Sequence, residues 1–288
     1  MQSLSTRAML SDLSISVWSG RKYDRKVSDE VATSHNATQD AGRYNKRLVA
    51  KQALQKIAQV QRDAFSSYYK KSMPWADSGL RIFPASLYLD FVDEVKQLER
   101  KFDAAVDEFA SAYPQVIEDA KRDLNGLFNA GDYPSPKHIK KHFAFSVTMM
   151  PLPDVSDFRV DLSDATVAQL QADWQRGQDA MVNAMLNDAL KRITDVVGRM
   201  SERLHAYKVT DDKTEGVFRD TLVSNVRELS AILPALNVSQ DAKLDGIIAA
   251  MGALTKHDAS TLREDDVTRA TVATAADEIL ESVSEFFA

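Results

Sequence analysis

From Leu186 the apolar residues Leu190, Ile193, Val197, Met200, Leu204 and Tyr207 follow at steps of four and three in strict alternation. A strand repeats every second residue and a loop has no period, so a stripe of this length is one face of a helix. Val167, Leu170, Trp174 and Met181 begin the stripe, offset by a phase step between 181 and 186 that resembles a stutter. Ser163 reads as the N-cap and the polar run VTDDKTEG as the break, giving a helix about 65 Å long at 1.5 Å per residue. A helix with so long an apolar face must be covered. Either helices of the same chain cover it, or a second copy does, through Leu186, Leu190, Ile193, Val197, Met200, Leu204 and Tyr207 as an oligomerisation seam.

A second stripe runs Phe91, Val95, Leu98, Phe102, Ala105, Phe109 and Ala112, predicting a helix over 85–125 that Pro114 kinks or restarts. Period-two alternation at Leu13, Ile15 and Val17 predicts a strand over 12–18. Further strands are expected at 80–83, at 143–149 and around Phe158, Val160 and Leu162. Residues 28–40 read as a polar loop and Gly42 to Tyr69 as helical, ended by Met73-Pro74. After the long helix, Thr210 or Asp211 is expected to cap a helix over 213–233, with Pro234 separating it from another at 240–254. Thr261 to Glu264 reads as a capping box for the last helix. These elements predict a predominantly helical α+β fold: a small antiparallel sheet packed on helices, followed by a long helical hairpin or bundle. The expected division is an α+β domain over 1–162 and a helical domain over 163–288.

With 44% hydrophobic and 27% charged residues, the composition is that of a globular chain rather than a disordered one. The absence of cysteine excludes disulfides, Fe–S clusters and thiol nucleophiles. No apolar run is long enough to span a bilayer, and residues 1–20 lack the apolar core of a secretory signal, so a cytoplasmic protein is expected. The net charge of −6 conceals an asymmetry. Residues 1–75 carry 13 Lys and Arg against 6 Asp and Glu; the remainder carries 23 against 36. A balance of +7 beside one of −13 points to a local anion-binding surface or to self-association between opposite charges.

No phosphate-binding glycine loop, HExxH, GxSxG or EF-hand pattern is present, and no cofactor is expected. His138 and His142 have the spacing of a helical metal pair, but Lys140 and Lys141 lie between them and favour a basic turn. Asp154, Asp157, Asp161 and Asp164 cluster as a metal-dependent nuclease would require, though caps and turns also explain them, as a helical first turn explains Glu264, Asp265 and Asp266. The stronger signal is basic and aromatic. Trp18, Arg21, Lys22, Tyr23, Arg25 and Lys26, with Lys137, Lys140 and Lys141, combine cations for phosphate with rings for bases, as single-stranded nucleic-acid surfaces do. The two clusters become neighbours if strands 12–18 and 143–149 share a sheet.

One ordered set of residues carries a resemblance. It comprises Pro74, Trp75, Asp77, Gly79, Arg81 and Pro84, then Asp132-Tyr133-Pro134, then Asp157-Phe158-Arg159-Val160-Asp161, with SVWSGRKYDRKVS and Ala41 to Lys46 upstream. Over residues 12–165 this resembles a family of uncharacterised proteins encoded by tailed bacteriophages and prophages. The resemblance implies expression in the cytoplasm of an infected bacterium and assigns no activity or catalytic residue. The expectation is a non-enzymatic binding or assembly protein, a homo-oligomer through its long helices, acting on phage genome metabolism or on a host protein. The alternative is a single-stranded nucleic-acid-binding accessory factor, and a metal-dependent nuclease is the third reading.

Overall fold

The computed structural model describes residues 4–75, 79–152, 164–209 and 213–286. The fold is α+β and predominantly helical, with a small antiparallel sheet of four strands packed with helices. The sheet order is β4 (Met73–Pro74), β5 (Arg81–Pro84), β1 (Ala8–Ser16) and β6 (Ala144–Pro151). In β1 and β5 the antiparallel register sets Ala8 against Pro84 and Leu10 against Ile82. The strand expected around 158–162 lies outside the described residues.

The chain does not divide at a single point near 163. One compact unit comprises 1–12, 71–88 and 149–288; the other comprises 13–70 and 89–148. In the first, α4 (Asp164–Ala206) is the unbroken long helix that the stripe predicts. It packs against α5 (Thr221–Leu236) and α8 (Asp266–Ser284). Leu190, Ile193, Val197, Met200, Leu204 and Tyr207 are buried there with Val223, Val226, Val272, Ala276 and Ile279, and Leu186 is half-buried against the same core. The seam's apolar face is therefore covered within the chain and offers no free surface for a second copy. Ser72, fully buried, ties β4 to its surroundings: its carbonyl accepts from Arg81 at 2.9 Å and from Arg192 at 2.7 Å.

Local corrections have local causes. The stretch between α4 and α5 is not helical from 213: β7 (Lys208–Val209) and β8 (Thr214–Glu215) form a ribbon, and α5 begins at 221. The cap positions Thr210 and Asp211 lie outside the described residues. Gly216 permits the turn, because its φ is +64° and a Cβ there would meet the Ala206 carbonyl oxygen at 2.3 Å. Pro234 sits inside α5 rather than after it. Thr261 to Glu264 is no capping box. Asp258 caps α7 (Ala259–Glu264), and Asp265 caps α8 through the amides of Val267 and Thr268. Asp241 caps α6 (Ala242–Met251) in the same way.

In the second unit α3 (Tyr88–Leu124) runs through Pro114 without a break. It buries Phe91, Phe102, Val106, Phe109 and Tyr113, with Phe102 against Phe145 of β6 and Phe109 against Phe143. Residues 28–34, within the stretch expected as loop, belong to helix α1 (Arg25–Ser34), and the 42–69 stretch is helical only from a 3₁₀ turn (Lys51–Leu54) into α2 (Gln55–Lys71). Asp24 nucleates α1 by accepting the amide of Val27, a capping bond that a hydrophobicity pattern does not display.

Candidate nucleic-acid interface

The N-terminal basic cluster sits on a ribbon that the sequence pattern did not show. Strand β2 (Arg21–Tyr23) pairs antiparallel with β3 (Asn45–Arg47), setting Arg21 opposite Arg47, Lys22 opposite Lys46, and Tyr23 opposite Asn45. Gly20, at φ +61°, turns the chain out of β1, and its carbonyl accepts the amide of Leu48 at 2.7 Å. Because strand side chains alternate, the ribbon has two chemically different faces.

The inner face is neutralised. Lys46 is 4% exposed, and its ammonium reaches Asp132 at 2.7 Å, Asp24 at 3.1 Å and the Leu127 carbonyl at 2.8 Å. The other oxygen of Asp132 holds Lys22 at 2.9 Å, so one buried carboxylate separates two lysines directly opposite each other. Burial pulls Lys46 down, but the two carboxylates outweigh it and hold the ammonium above its usual pKa. Burial pushes Asp132 up, and the bonds from Lys46 and Lys22 outweigh that and hold it below the usual carboxylate range. Asp24 is held low by Lys46 and by the Val27 amide. Beside them the Tyr133 hydroxyl donates to the Leu48 carbonyl at 2.8 Å. Trp18 packs on Phe109 and Tyr113, which makes it a core ring rather than a free platform. Burial pushes the Tyr113 phenol up to about 12.

The outer face is different. Arg21, Tyr23, Asn45 and Arg47 are all exposed, Tyr23 at 44%, and the Arg43 guanidinium lies 5.8 Å from the Tyr23 ring centre. Among the described residues none of Arg21, Arg43 and Arg47 meets a carboxylate. Three guanidinium groups around an exposed ring can hold phosphate oxygens and leave an aromatic face for a base.

The other sequence candidates fall elsewhere. Arg25 and Lys26 pair along α1 with Asp29 and Glu30 at 3.7 and 3.9 Å. Strands β1 and β6 are sheet neighbours, as the juxtaposition required. Lys140 pairs with Asp107 at 2.6 Å, while Lys137 and Lys141 are exposed. No bond among the described residues links any of these three to β2 or β3. A helical reading of 42–69 hides Arg43, Asn45 and Arg47. The signal available is GRYNKR, which has no apolar stripe and places three cations within five residues.

His138 precedes and His142 ends a 3₁₀ turn, both exposed, so their spacing is not that of an α-helical pair. Among the described residues no group of three His, Asp or Glu is placed to hold a metal ion. Asp154, Asp157 and Asp161 lie outside the described residues, and Asp164 is the first residue of α4. In the other unit Ser201 donates to one oxygen of Asp277 at 2.5 Å, and His205 lies 2.8 Å from the other. The Ser201 bond, then that of His205, holds Asp277 below its usual range. Asp277 is the hub, so this cluster ties α4 to α8 rather than placing a base on a serine nucleophile. Among the described residues no helix is long and apolar enough to cross a membrane. No family model, no curated protein and no solved structure matches the chain.

Proposed function

We propose that this is a non-catalytic binding protein whose β2–β3 ribbon grips single-stranded nucleic acid. The observation that carries the reading is the contrast between the ribbon's faces. Lys22 and Lys46 are matched by Asp132 and Asp24, whereas Arg21 and Arg47 share the outer face with Tyr23, Arg43 lies 5.8 Å from its ring centre, and none of these arginines meets a carboxylate among the described residues. A surface that only offset acidic helices would pair its arginines too. A net charge of −6 argues against general adhesion to polyanions and leaves a local site.

The setting we propose is a tailed bacteriophage in the cytoplasm of its host, where such a factor would accompany genome metabolism. In support, Lys22, Asp24, Lys46, Asp132 and Tyr133, all among the residues carrying the resemblance, meet in one place beneath the ribbon. Assembly through the 186–207 seam does not enter this reading, since that face is covered by α5 and α8.

Fluorescence polarisation of a labelled single-stranded oligonucleotide against rising salt tests the proposal. Binding at low salt is expected, with affinity falling as salt rises. Arg21→Gln or Arg47→Gln is expected to reduce the log–log salt slope by about 0.7 for each phosphate no longer neutralised. No binding at low salt, or binding indifferent to both substitutions, overturns it.

A further inference from the structure

A second, independent site lies in the other unit, where α4 ends and α5 begins. A cleft of about 290 Å³ is lined by Arg203, Val217, Phe218, Arg219, Thr221, Leu222 and Asn225. Its wall is apolar. Val217, next to the Gly216 turn, is 62% exposed and lines the cleft with half-buried Leu222. Its rim is cationic. Arg203 and Arg219 are exposed, and neither meets a carboxylate among the described residues. Asp220, the acid that follows Arg219 in sequence, is engaged by Arg263 at 2.8 Å and makes no capping bond to α5. The first turn of α5 contributes no acidic residue. Thr221 and Asn225 add hydrogen-bonding groups to the lining.

We infer that this cleft docks an acidic peptide segment of a partner protein, one apolar side chain seated against Val217 and Leu222 and flanking carboxylates held by Arg203 and Arg219. The volume is below that of an ordinary small-molecule pocket and suits a single large side chain. Two guanidinium groups at the rim match carboxylates bidentately. A nucleic-acid strand fits less well, because no aromatic face is open to a base. The Phe218 ring is buried, with Tyr207 packed edge-on at 5.1 Å and the Arg263 guanidinium 5.7 Å from its centre. The ribbon of the other unit, where Tyr23 is exposed, differs on this point.

The test uses the full chain and a fluorescein-labelled octapeptide of Asp and Glu around one central leucine, read by polarisation at low ionic strength. Binding is expected, weakened about tenfold or more by Arg203→Gln with Arg219→Gln, and comparably by serine in place of the peptide's leucine. Val217→Asp is expected to abolish it while far-UV circular dichroism and the melting temperature stay unchanged, since Val217 is on the surface. Absence of binding, or binding indifferent to the two arginine substitutions or to the loss of leucine, overturns the inference. So does displacement of the peptide by a single-stranded oligonucleotide from a chain carrying Arg21→Glu and Arg47→Glu, which would make the cleft a nucleic-acid site. The ribbon proposal is tested separately by oligonucleotide binding, so either can fail alone.

Discussion

Lys22 and Lys46 face each other on adjacent strands, an arrangement that opposes pairing unless an anion separates them. Asp132 is that anion, and at 7% side-chain exposure it cannot be replaced by water. Asp132→Asn is therefore expected to destabilise the protein by about 3 kcal/mol, measured by urea unfolding, because a buried ammonium loses its nearest counter-charge. The pH dependence has a definite sign. Asp24 and Asp132 titrate below their unfolded values, so their contribution is present above about pH 4 and fades as pH falls through the folded values. Lys46 titrates above 10.5, so its contribution is complete below that value and is lost as pH rises through the folded pKa. The stability plateau attributable to the network thus lies between these limits. On the outer face, Tyr23→Ala is expected to weaken oligonucleotide binding about tenfold or more, and Tyr23→Phe to preserve it, because stacking uses the ring and not the hydroxyl.

Helix α4 shows what periodicity conveys about an element and what it omits. The 186–207 stripe announced the helix and its buried face, yet the same stripe suits a partner helix of this chain or of another. The partners are α5 and α8. Leu190→Asp, which places a charge in the core, is accordingly expected to lower the melting temperature sharply and unfold the chain rather than dissociate folded subunits. Calorimetry with light scattering separates the two outcomes. Several helices begin on aspartates: Asp24, Asp241, Asp258 and Asp265 each accept amides of a first turn. Asp241→Ala should destabilise by about 1 kcal/mol in urea unfolding. Asp258 is held down to about 2, chiefly by the Thr261 amide and then by the Ser260 and Thr261 hydroxyls. Its contribution holds at neutral pH and disappears as pH falls from about 4 toward 2. These caps account for Asp265 at the start of α8 and for the absence of α1 from a reading based on apolar spacing.

At the scale of the whole molecule the two compact units interleave along the chain. Ala8, Leu10, Met73 and Ile82 belong to the same core as Ile193 and Ala276. A fragment of residues 164–288 is therefore expected to lose near-UV circular dichroism and to melt below the full chain, because it lacks these buried residues. A cut at 163 placed on composition alone would have predicted an independent domain. Charge is redistributed in the same way. The unit made of 13–70 and 89–148 holds 19 Lys and Arg against 16 Asp and Glu, a balance of +3; the other holds 17 against 26, a balance of −9. The +7 of the first 75 residues is moderated by the acids of α3, so the basic character is a feature of one ribbon and not of a domain.

By itself the sequence determined the long helices, the alternating strands, the absence of thiol chemistry and the presence of a basic aromatic stretch. Each of these is local, set by side-chain period or by composition. Only the tertiary structure decided which apolar faces cover one another and which cations are matched. It took Lys22, Lys46 and Lys140 out of play by placing carboxylates beside them, for Lys22 and Lys46 from more than 80 residues away. It left Arg21, Arg43 and Arg47 unmatched around Tyr23. The reason is physical: whether a charge is matched depends on an attraction that weakens with distance in space, and the order of residues does not show that Asp132 lies beside Lys22 and Lys46.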